Sequence, residues 1–85
     1  MNQFTYTLQH ETGIHARPAG LVVNEAKKYT CKITLQIGER SADAKGLFGV
    51  MGLGAKGGDI VTVKCEGADA ATACTALQTL FQKYL

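Results

Sequence analysis

The 85-residue sequence is short of the features that mark several large classes of protein. No basic run exceeds the pair Lys27-Lys28, and the formal net charge is only +2. A sequence-independent nucleic-acid binder needs a denser phosphate-facing patch, so nucleic acid is not an expected partner. The three cysteines, Cys31, Cys65 and Cys74, are odd in number and form no CxxC pair. Neither a disulfide framework nor a zinc site is indicated, and reduced thiols on apolar faces are expected instead. The first residues carry neither a basic nor an apolar leader pattern, and the apolar-leaning stretch from Gly46 to Ala55 is too short and glycine-rich to span a bilayer. A cytoplasmic protein without stable membrane association is the expectation. There is one proline, Pro18, and one serine, Ser41.

What is present suits one small domain over residues 1–85. At 46% hydrophobic and 19% charged residues, the chain has the balance of a folded protein, and a chain of this size buries roughly 60–65% of its unfolded surface. Phe4, Tyr6 and Leu8 alternate with Thr5 and Thr7, which predicts a half-buried strand over 2–8. Residues 9–15 break the alternation and read as a loop closed by Gly13. Ala19, Val22, Val23 and Ala26 then recur at helical spacing behind Pro18. A helix from about Ala16 to Lys28 accommodates that proline in its first turn, where a missing N–H costs nothing, and sets Lys27 and Lys28 against the negative end of its dipole.

Cys31, Ile33, Leu35 and Ile37 mark a second strand. Gly38-Glu39 suits a two-residue type II′ turn, and Arg40 to Ala44 returns as a weak third strand with Ala42 and Ala44 inward. A short helix near 46–51 and a glycine loop lead to a fourth strand, Ile60 to Cys65, with Val61, Val63 and Cys65 inward and Gly67 at its end. Asp69 has the chemistry of a helix cap. Ala70, Ala73, Cys74, Leu77, Phe81 and Tyr84 then form one apolar stripe. The order β-α-β-β-α-β-α, with every strand apolar on one side only, predicts an α+β open-faced sandwich: a four-stranded antiparallel sheet with three helices on one face.

The chemistry gathers in Gly13-Ile14-His15-Ala16-Arg17-Pro18. A histidine just before a helix start lies near backbone N–H groups that have no intrahelical acceptor, and the helix dipole favours an anion there. Arg17 adds a planar cation able to bind two phosphate oxygens. The same field favours the neutral imidazole, which is the nucleophilic form. Spacing alone leaves the plain alternative open, a surface histidine beside an ordinary arginine.

Gly13 to Ala19 (GIHARPA) resembles the active-site signature of the histidine-containing phosphocarrier (HPr) family of the phosphoenolpyruvate-dependent sugar phosphotransferase system. Lys45 to Gly54 (KGLFGVMGLG) resembles that family's second-helix segment, and Gly67-Ala68-Asp69 the start of its last helix. The resemblance implies a covalent carrier and not an enzyme. His15 would accept a phosphoryl group at Nδ1 from Enzyme I and donate it to the IIA unit of a sugar-specific Enzyme II. Arg17 and the amides of Ala16 and Arg17 would hold the phosphoryl oxygens, with Thr12 as a nearby hydroxyl. Leu47, Phe48 and Met51 would form the docking patch, with Gly20 beside it. No cofactor or metal is implied, and a monomer is the default for a carrier that docks with partners in turn.

The sequence departs from the family in two places. Gly46 stands where Gram-positive members carry a regulatory serine, so that switch is expected to be missing, and Gly20 replaces a commonly larger residue. The docking patch also has its own argument. Leu47, Phe48, Val50, Met51 and Leu53 are too many large apolar groups for one short helix to bury, and the expected division is Val50 and Leu53 in, Leu47, Phe48 and Met51 out. Gly52 to Gly57 formally matches GxGxxG, but a helix precedes it and a strand follows, the reverse of a dinucleotide site. His10 lacks supporting ligands and reads as a surface residue. Two rivals remain at this level: a specialised or regulatory paralogue using the same histidine, and a binding module in which His15 is incidental.

Overall fold

Period-two patterning becomes a sheet with one dry face and one wet one. The computed structural model describes residues 2–11, 14 and 16–85. Its elements are β1 (Asn2–Thr7), α1 (Ala16–Ala26), β2 (Lys32–Ile37), β3 (Arg40–Asp43), α2 (Leu47–Gly52), β4 (Ile60–Glu66) and α3 (Ala70–Tyr84). The four strands lie in the order β1-β4-β2-β3, every neighbouring pair antiparallel. The expected architecture is the one observed.

Register explains which face is dry. Phe4 pairs with Val63, Val63 with Leu35, and Leu35 with Ala42, giving an apolar row across all four strands. One residue along, Thr5, Thr62, Gln36 and Ser41 form the corresponding polar row on the other face. A slip of one residue would exchange the two rows, so burial itself fixes the register. The β2–β3 hairpin turns on Gly38 at φ +58 while Glu39 keeps a negative φ, the signs a type II′ turn requires.

The helices close over the apolar rows. α1 buries Ala19, Val22, Val23 and Ala26, and α3 buries Ala70, Ala73, Leu77 and Phe81. The Phe81 ring meets Phe4 and Tyr6 edge-to-face, with centroids 5.6 and 5.7 Å away. α2 comes close to β3 because both contacting residues are small: a Cβ on Gly49 would sit 3.6 Å from that of Ala42.

Several expectations are corrected. Asp69 precedes α3 but its side chain does not cap it. Its carboxylate instead accepts from the backbone N–H groups of Thr30 and Cys31, each at 2.9 Å, and so ties the start of α3 to the segment before β2. Tyr84 is not part of the buried stripe: it is exposed, with Lys83 Nζ 5.3 Å from its ring centroid, and Cys74 is half-buried. The residue after Tyr84, Leu85, is buried instead, and its carbonyl accepts from Gln9 N–H at 2.8 Å. α1 ends at Ala26, so Lys27 and Lys28 lie beyond its last turn, where Lys28 pairs with Glu25 at 3.0 Å. β2 starts at Lys32, leaving Cys31 buried just before it.

Candidate functional site

The proline-led helix is where the sequence places its chemistry. α1 begins at Ala16, with Ala16 and Arg17 exposed and Pro18 in its first turn. Pro18 has no N–H to leave unpaired, while Ala16 and Arg17 keep theirs at the positive end of the dipole. Thr12 and His15 lie outside the described residues, as does Gly13. Ile14, immediately before His15 in the chain, is buried and donates its N–H to the Ala55 carbonyl at 3.1 Å. The chain therefore enters α1 from an anchored point.

That anchor leads to the apolar patch. Ala55 lies just past α2, and the residues from Leu47 to Leu53 divide as the crowding argument expects: Val50 and Leu53 are buried, while Leu47, Phe48 and Met51 are exposed, Phe48 at 86%. α1 packs against α2. Gly20 is half-buried on α1, and among the described residues no atom beyond the helix's own backbone and its chain neighbours lies within 4 Å of where its Cβ would be. Gly46 caps α2 in an ordinary extended conformation, φ −110 and ψ 112, without a side-chain hydrogen bond.

Among the described residues, the groups whose titration is displaced lie elsewhere. Asp69 is held below the usual carboxylate range, chiefly by the Thr30 amide. Burial raises the Cys31 thiol and pushes Cys65 up to about 12; burial, then Glu25, raises Tyr29. Tyr29 and Cys31 follow the far end of α1, an 11-residue helix and thus about 16 Å long. These are structural groups, and the raised thiols are poor nucleophiles. Among the described residues no three His, Cys, Asp or Glu side chains gather as a metal site, His10 is exposed, and no helix is long and apolar enough to cross a membrane. The GxGxxG segment starts at the end of α2 and leads into β4, the reverse of a dinucleotide site.

Sequence reasoning missed three contacts. Arg40 reaches across to the Leu53 carbonyl at the end of α2. Lys45 Nζ donates to the Tyr29 carbonyl at 2.7 Å. The loop Ala55–Asp59 is hydrogen-bonded to Leu8, Glu11 and Ile14. Only the last left a local signal, the Gly57-Gly58 pair.

Comparison with known proteins agrees with this geometry. The family model described as "PTS HPr component phosphorylation site" matches residues 2–83. The histidine-containing phosphocarrier protein of Mycoplasma superposes with a TM-score of 0.94 at 29% identity, over 96% of this chain and 93% of that one. An HPr structure from Thermoanaerobacter tengcongensis gives 0.92 at 35% identity, over 98% and 93%. The multiphosphoryl transfer protein of Xanthomonas campestris pv. campestris is 37% identical over 68 residues, which are 80% of this chain but 8% of that protein.

Proposed function

The chain belongs to the HPr family of the phosphotransferase system, and from that membership we propose that residues 1–85 act as one carrier domain, taking a phosphoryl group onto His15 from Enzyme I and passing it to a IIA unit. The observation that carries this reading is the start of α1, where exposed Ala16 and Arg17 follow directly on His15 in the chain. Those amides and the guanidinium suit the oxygens of a transferred phosphoryl group, and Thr12 adds a hydroxyl nearby in sequence.

In each transfer the bond from phosphorus to the donor breaks as the bond to the acceptor nitrogen forms. His15 Nδ1 is the acceptor in the first transfer and the leaving group in the second. Little covalent chemistry is left for the carrier, which supplies position and charge. It turns over only with its partners and needs no cofactor. A shallow site on a rigid helix end fits two different active sites in succession. The exposed Leu47, Phe48 and Met51, with Gly20 beside them, serve as the docking patch for both partners, one at a time, with the carrier itself a monomer in the cytoplasm. Gly46 offers no hydroxyl, so a kinase that phosphorylates serine at this position finds none.

Incubation with phosphoenolpyruvate and Enzyme I should add one acid-labile phosphoryl group by intact mass, and His15→Ala should abolish it. No adduct with a competent Enzyme I would sink the carrier reading.

A further inference from the structure

We infer that the loop Ala55–Asp59 is a brace that sets the position of the His15-bearing segment, with Gly57 as its positioning residue; this rests on the carrier reading above. Four backbone hydrogen bonds join the loop to Leu8, Glu11 and Ile14. Leu8 N–H donates to the Asp59 carbonyl at 2.9 Å, Gly58 N–H to Leu8 at 2.9 Å, Gly57 N–H to Glu11 at 3.2 Å, and Ile14 N–H to Ala55 at 3.1 Å. The loop is also closed on itself: Lys56 N–H donates to Asp59 Oδ2 at 2.9 Å and Asp59 N–H to the Lys56 carbonyl at 3.0 Å.

At Gly57 the two segments leave no room for a side chain. A Cβ there would lie 2.6 Å from the His10 carbonyl oxygen and 2.9 Å from Glu11 Cα. Both atoms are backbone, so neither can swing aside as a side chain would. Gly57 does not have the positive φ that marks Gly58, at +91, so conformation does not require glycine at 57. Contact does. The loop leaves α2, whose exposed residues form the proposed docking patch, and its first hydrogen bond falls on Ile14, the residue before His15. The brace therefore joins the segment behind the proposed docking patch to Ile14, the residue before His15 in the chain.

Gly57→Ala should push residues 10–11 away without touching the patch, the histidine or Arg17. Misplacement of a reacting group by about 1 Å can cost up to 100-fold in rate. The expected result is a 10- to 100-fold fall in kcat for transfer from Enzyme I with KM little changed, and faster hydrogen exchange at the Ile14 amide. Asp59→Ala, which opens the loop without crowding, should give a smaller fall of several-fold and decides the matter if Gly57→Ala does not fold. Wild-type kcat in the folded variants, or a loss confined to KM, overturns the brace. If the wild-type chain itself takes no phosphoryl group from Enzyme I, the carrier reading fails instead.

Discussion

At the residue scale, Asp69 binds a distant segment in place of the helix it precedes. Its carboxylate accepts from two N–H groups 39 and 38 residues away in the chain, at Thr30 and Cys31. Those bonds favour the ionised form and lower its pKa. The sign follows: the stabilisation is complete above the unfolded carboxylate value of about 3.9 and is lost as pH falls through the lower folded value. Asp69→Asn should melt lower than the parent at pH 7. The gap should narrow as the pH is taken below about 4, because the parent then loses what the variant already lacks. Thermal melts of both across the acid range measure this, and a constant gap would refute it.

At the element scale, glycines separate helix stability from contact. Gly20 lies within α1, and among the described residues an added Cβ meets nothing within 4 Å beyond the helix's own backbone and its chain neighbours. Gly20→Ala should therefore stabilise the fold by ~0.5–1 kcal/mol, raising Tm by a few degrees. Gly67 is the opposite case. Its φ is +139 and a Cβ would sit 3.0 Å from both Cα and Cβ of Cys31, so Gly67→Ala should destabilise by ~1–3 kcal/mol. Chemical denaturation of the pair should show shifts of opposite sign. At Gly46 the added atom meets only the Asp43 carbonyl, at 3.6 Å, and φ is −110. Gly46→Ser should fold normally and gain a few tenths of a kcal/mol through capping.

At the scale of the whole molecule, two phenylalanines divide stability from docking. Phe81 is fully buried against Phe4 and Tyr6, whereas Phe48 is 86% exposed. Phe81→Ala should cost ~3–5 kcal/mol, a large share of the 5–15 kcal/mol that holds a typical domain together. Phe48→Ala should change stability by no more than ~0.5 kcal/mol while raising KM with Enzyme I. Urea melts and transfer assays on both variants give the comparison, and an unstable Phe48→Ala would remove that residue from the proposed patch.

The sequence by itself determined what depends on neighbours in the chain. Alternation over Ile33 to Ile37 and Val61 to Cys65 set the buried face of the sheet, Gly38-Glu39 set the hairpin, and Pro18 marked the start of α1. The crowding of Leu47 to Leu53 divided α2 into inside and outside, and the run from Gly13 to Ala19 pointed to the family. These signals are local: period, turn chemistry and side-chain volume act over a few residues. The tertiary structure alone decided where Asp69 finds its donors, that Tyr84 stays exposed while Leu85 is buried, that Arg40 reaches Leu53, and that Gly57 lies against His10 and Glu11. Each depends on segments that the fold brings together from distant parts of the chain, and no pattern in either segment names its partner.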